Sequence, residues 1–496
     1  MLLLATALAA PPDLRPPCGS AYTLANLGPR HTFPAPPPAG GPLQEHDAYA
    51  DSYPHELIGT HFHVKWGTSG GVSQALAQAV LDDFEFAWEA EVDGLQMQQP
   101  IATDQYYFNV YIGDTGGGTP SAYGNSGYYN RDDDGLPMIV IGADILGDLT
   151  WTEGTVVHEF FHSLQDATGR YDYTGDSAWY WEATAMWIEG QVLDASYQYY
   201  AAFLYGYALL PELPVYFFDY PDTGTLQEYH QYGAMIFPTY ISEIAADPQM
   251  VIDSWTLPGD TTTPQDTLAA ELSERGVDMA DAFGDFAARN TVWDYEDGDL
   301  YYEWVDYYAV YAGNDDHQLV DDVSYKGVSL TEAPEDTLPG RLAYNVVRLE
   351  DPDRDLDYVF HVEGATKGSR NSPADWRFTV VVEDSPVEYL PILLTNGVGE
   401  ITVPRSNDTL YLVAASVGDS AHGDETFSWS YAVTQQVQAG DTGDTGGAVA
   451  DDSTDPAGED PVELQGCACD HTRGLVGWGG VLLAGLAIRR RPPRLR

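Results

Sequence analysis

The spacing of apolar positions changes character once along this chain, near residue 330. Before that point helical periods mix with short strand-like runs. Residues 58–66, 106–112 and 137–142 have strand patterns, whereas 73–92 carries Leu76, Val80, Phe84 and Trp88 on one helical side. Helical patterns continue over 197–210, from Leu226, over 267–275 and over 279–289. Beyond residue 330 the period becomes two, in short runs at 342–349, 357–362, 376–382, 389–394, 400–403, 409–414 and 427–433. Gly, Asn, Asp and Pro turns separate these runs, the signature of a β-sandwich. Trp376, Phe378, Val380 and Val382 share one face, and so do Phe427, Trp429, Tyr431 and Val433.

The pattern predicts an α+β domain over 52–329 followed by an all-β sandwich domain over 330–437. The flanks differ in composition. Residues 1–10 are a short apolar run ending in small residues, resembling a signal peptide without its basic start. Residues 11–51 are Pro-rich and read as a leader or prosegment. Residues 438–466 are too poor in apolar side chains to fold and predict a disordered acidic linker. Residues 467–496 place Cys467 and Cys469 before a short apolar helix and an Arg cluster.

Charge narrows the partners. With 496 residues, Lys+Arg 21 and Asp+Glu 77, the net charge is −56, which repels nucleic acid and anionic membrane surfaces. The three cysteines, Cys18, Cys467 and Cys469, lie outside the predicted domains, so neither a disulfide framework nor a thiolate metal site is expected there. Any metal must be held by imidazole and carboxylate.

One stretch supplies them. His158 and His162 stand one helical turn apart with Glu159 between them, a His-Glu-x-x-His motif. On a helix both imidazoles reach one metal ion while Glu159 faces the water such a metal would activate. Thr150 and Glu153 have capping-box spacing and Gly169 is a helix stop. A catalytic zinc needs a third protein ligand. Glu182 is the candidate, a carboxylate inside the aromatic helix that Asp176 or Ser177 can cap; burial there is costly unless a cation is bound. The alternating His61 and His63 offer a weaker metal pair, and a calcium loop is half-written in Asn130, Asp132 and Asp134, without the Glu that an EF-hand carries at position twelve.

His158-Glu159-x-x-His162 with Glu182 twenty positions on resembles the gluzincin metallopeptidases, thermolysin-like and aminopeptidase-like zincins. The resemblance implies a zincin-like catalytic domain, Zn²⁺ on His158, His162 and Glu182, and Glu159 as general base. It also implies an edge strand over the cleft that pairs with an extended peptide substrate. A downstream His or Tyr would stabilise the oxyanion, here His230 or Tyr232. Thermolysin-like members carry an acidic residue one turn after the ligand Glu, where this chain has Met186; Glu189 or Asp176 would then orient a ligand histidine.

The C-terminal order of Cys, apolar helix and Arg cluster resembles the sorting tails of myxobacterial surface proteins. That implies export to the surface of a Gram-negative cell, or release, with transient membrane anchoring. The expected function is an exported zinc metallopeptidase acting on proteins or peptides. Its rivals are a surface adhesion or binding protein with an inactive zincin domain, and a zinc hydrolase of a non-peptide bond.

Overall fold

The computed structural model describes residues 43–46, 53–116, 118–193, 199–219, 226–257, 263–311, 319–324, 328–350, 356–404, 409–418 and 423–436. The signal-like start, most of the Pro-rich leader, the acidic linker and the Cys/apolar/Arg tail lie outside these residues. All described residues belong to one compact unit of mixed α and β structure. No helix among them is long and apolar enough to cross a membrane.

The first sheet contains β1 (His55–Ile58), β2 (Phe62–Trp66), β3 (Phe108–Gly113), β4 (Gly127–Arg131) and β5 (Pro137–Gly142), in the order β1-β2-β3-β5-β4. The three central strands are parallel; β1 and β4 run antiparallel at the two edges. The run 58–66, expected as one strand, is instead a hairpin. Its turn closes where Glu85 accepts the main-chain N–H groups of Thr60 (2.7 Å) and His61 (2.9 Å). β4 escapes the sequence pattern because its polar Asn130 and Arg131 look like part of an acidic turn.

Helix α1 (Gln74–Ala87) begins at Ser73, whose Oγ accepts from Leu76 N, and runs into a π-helical turn, Trp88–Gly94. Helix α2 (Leu149–Thr168) carries the His-Glu-x-x-His motif. Its cap is Asp148, which accepts from Trp151 N at 3.1 Å, rather than the Thr150–Glu153 box; Gly169, at φ 59°, ends it as expected. A helix buried on nearly every side is a core element, and here Phe160 meets Phe62 at 5.4 Å and Phe108 at 6.0 Å, seating one face of α2 on the sheet. The opposite face meets α3 (Ala178–Val192), which follows a short 3₁₀ turn, Gly175–Ser177.

The predicted helical stretch 197–210 is, in its described part, a 3₁₀ turn (Tyr199–Phe203) and the one-turn α4 (Tyr205–Ala208). Then come α5 (Leu226–Gly233), α6 (Ile236–Tyr240), α7 (Pro248–Thr256), α8 (Pro264–Glu274), α9 (Met279–Asn290) and α10 (Gly298–Tyr311).

The β-rich region starts before residue 330, with β6 (Leu319–Ser324) and β7 (Val328–Glu332). It continues through β8 (Ala343–Glu350), β9 (Asp357–Gly364), β10 (Trp376–Val382), β11 (Glu388–Ile392), β12 (Leu394–Thr395), β13 (Val398–Val403), β14 (Leu410–Ser416) and β15 (Trp429–Gln436). Two five-stranded sheets result, β11-β10-β14-β8-β6 and β12-β13-β9-β15-β7. The two predicted apolar faces meet between them, with Phe378 and Trp429 at 5.8 Å. The outer face of the β11-β10-β14-β8-β6 sheet is apolar too. Tyr344, Val346, Val381, Val413 and Ala415 join the core of the helical region, where α9 lies against them. A Cβ on Gly284 of α9 would stand 2.6 Å from Cβ of Arg377, so this approach requires glycine. Arg377 Nε also donates to Asp281 at 2.6 Å.

Candidate metal centre

The helical period gathers the site. His158 and His162 project from one side of α2, and Glu182 faces them from α3. His158 Nε2 lies 3.3 Å, and His162 Nε2 3.5 Å, from the same atom, Glu182 Oε2. All three side chains are at most 1 % exposed. Among the described residues they form a buried group that could hold a metal ion.

The other atoms of these side chains are fixed by neighbours. His158 Nδ1 donates to Glu189 Oε1 at 2.9 Å, and His162 Nδ1 donates to Gln165 Oε1 at 2.7 Å. Because Gln165 Nε2 is spent on Trp181 O and Thr184 Oγ1, its carbonyl oxygen must face the histidine. Tyr173 donates to Glu182 Oε1 at 2.7 Å. Both imidazoles therefore direct Nε2, and Glu182 its second oxygen, to one point. Two imidazoles and one carboxylate gathered in this way, each with an outer hydrogen-bond partner, could hold a metal ion.

Burial alone would push the Glu182 carboxyl up, but His162 and His158 hold it well below the usual carboxylate range. Burial alone would likewise lower His158, yet its hydrogen bonds to Glu182 and Glu189 push it up to about 10. Glu91, from the π-helical turn, is fully buried; desolvation raises its pKa well above normal, with His158 and Glu189 within electrostatic reach. Buried carboxylates are costly unless they are protonated, paired or bound to a cation, and the two imidazoles are the nearest partners here.

Strand β4 runs beside this group. The two-residue period turns Gly127, Tyr129 and Arg131 toward α2. Tyr129 Oη donates to Asp166 at 2.6 Å and Arg131 Nε donates to the same carboxylate at 2.8 Å. At Gly127 a Cβ would sit 3.2 Å from Glu159 Cγ and 2.9 Å from Thr155 Cγ2, so glycine lets the edge strand lie flush against the motif. A water-sized cavity of about 10 Å³ touches His158 and Glu189 between Trp151, Thr155, Met186 and Phe203.

The remaining predicted residues separate cleanly. Tyr232 of α5 is buried with its ring 6.4 Å from that of His158. His230, two positions earlier, points elsewhere: its ring lies against Tyr207 (5.0 Å) and Phe217 (5.5 Å), and burial pushes its pKa down to about 3. Asp176 is exposed, leaving Glu189 as the carboxylate that orients His158. Near Asn130, Asp132 Oδ1 accepts from the N–H groups of Asp134 and Leu136, while Asn130 Oδ1 accepts from Arg131 N. His46 Nε2 stands 3.2 Å from Asp132 Oδ2 and 3.4 Å from Asp134 Oδ2. His61 is engaged by Glu85 at 2.7 Å and stacked on Trp88. Gln165 and Tyr173 were not anticipated; only the i+3 spacing of Gln165 from His162 hinted at either.

A family described as one of unknown function, DUF6055, matches residues 42–438. The chain belongs to this family. The match spans the first sheet, the His158/His162/Glu182 group and the β-sheets that follow, so these form the body shared with the DUF6055 family. No curated protein matches the chain.

Proposed function

We propose that this protein is a zinc-dependent hydrolase of zincin type that cleaves peptide bonds. One observation carries the reading: the two motif histidines and Glu182 aim three donor atoms at a single buried point, with Glu159 on the same helix. The antiparallel edge strand β4, flush against α2 beside Glu159, supports a peptide as substrate, because an edge strand offers main-chain pairing to an extended chain.

His158, His162 and Glu182 would hold Zn²⁺, which when bound supplies Lewis acidity and lowers the pKa of water toward 7. Glu159 takes the proton from the attacking water and passes it to the leaving amine. Tyr232, beside His158, donates a hydrogen bond to the oxyanion as it forms. Glu189 and Gln165 keep the two imidazoles in the required tautomer.

Two variants test the assignment by failing differently. Glu159→Gln should keep zinc and lose about 10²- to 10⁴-fold in turnover of a casein-type substrate, the typical worth of a general base. Glu182→Ala should lose the zinc itself, read by metal analysis of purified protein. Full activity in Glu159→Gln would sink the hydrolase; zinc held by Glu182→Ala as tightly as by wild type would sink the ligand set.

A further inference from the structure

We propose that His63, Glu56 and Glu45 form a second divalent-metal site, at the edge of the first sheet opposite β4. One ligand atom from each of the three lies within 4.8 Å of the others. His63 is 1 % exposed, and its Nε2 stands 3.0 Å from Glu56 Oε2. Its Nδ1 is buried and has no hydrogen-bond partner, so the ring is held in polar terms only from the side where the carboxylates gather.

In the β1–β2 register Glu56 stands directly opposite Lys65, and Ile58 opposite His63. Lys65 Nζ donates to His46 O (3.1 Å) and Asn109 Oδ1 (3.0 Å), and the Glu56 carboxylate reaches diagonally to the histidine.

The three ligands come from three pieces of chain: β1, β2 and the segment that ends the Pro-rich leader. That segment lies over the sheet face opposite α2. It is held there by main-chain bonds between Gln44 and residues 105 and 107, and by side-chain bonds to His46 O. An ion on Glu45, Glu56 and His63 would clamp the segment to the hairpin. One imidazole and two carboxylates suit a borderline divalent ion such as Zn²⁺, and exposed Glu45 and Glu56 leave room for water ligands.

The test is a Zn²⁺ titration of the metal-free full chain against a chromophoric chelator. The site predicts one equivalent that survives Glu182→Ala and disappears in the double variant Glu45→Gln/Glu56→Gln, whose changes are on exposed side chains and leave the core intact. His63→Ala should abolish the same equivalent. The proposal is overturned if no equivalent survives Glu182→Ala, or if the surviving one is untouched by the double variant. Because this readout does not depend on the His158 centre, failure of that centre and failure of this one are distinguishable.

Discussion

Glu189 Oε1 accepts the Nδ1 proton of His158 at 2.9 Å across the α2–α3 interface, both side chains being nearly inaccessible to water. Glu189 lies seven positions after Glu182, two turns of α3, so both carboxylates share one face although Met186 occupies the turn between. Outer carboxylates of this kind typically contribute about 10- to 100-fold to metal affinity. Glu189→Ala should weaken zinc binding by that factor, and Glu189→Gln, which accepts without charge, should fall between; competition with a chelator reads both.

Tyr232 and His230 should part company in kinetics. Tyr232→Phe keeps the ring against His158 and removes the donor, so kcat should drop about 10²- to 10³-fold with zinc content unchanged. His230→Phe should leave kcat near wild type, since that ring sits among Tyr207 and Phe217. Equal losses in the two variants would remove Tyr232 from the mechanism.

A stability effect of pH follows from Asp83 on α1. Burial, with Glu153 and Asp82 nearby, pushes its pKa up to about 7 from an ordinary value of 3.8. A raised pKa in the folded state means stability that is full below pH 3.8 and is lost as pH climbs through 7. Asp83→Asn should therefore stabilise the protein by about 1–2 kcal/mol at pH 8, allowing for partial solvent screening, and change little at pH 3.5. Denaturant unfolding at the two pH values checks the sign.

The charge of −56 predicts a salt response. Screening shortens from about 30 Å at 0.01 M to about 3 Å at 1 M salt. Tm should rise over that range, and a flat profile would show that self-repulsion does not limit stability.

The local chemistry was legible because it depends on short-range periods. The i, i+4 spacing of His158 and His162, the Gly169 stop and the alternation in β10 and β15 are local rules, and the fold obeys them. Glu182 could be singled out because a carboxylate inside an apolar helix is costly unless it is paired or metal-bound. What lay beyond reach required knowing which elements meet. The choice of Glu189 over Asp176, and the opposite placements of Tyr232 and His230, depend on the rotation of α3 and α5 about their axes once packed. The strand β4 was hidden because its C-terminal end, Asn130 and Arg131, is polar and its pairing with β5 is a tertiary event. The burial of the sandwich's outer face against α9 was hidden for the same reason: an apolar face is visible in a sequence, but its partner is not. Sequence by itself determined which groups could do chemistry and on what kind of element; only packing decided which of them face one another, because contact between distant segments is set by the whole core rather than by any one stretch.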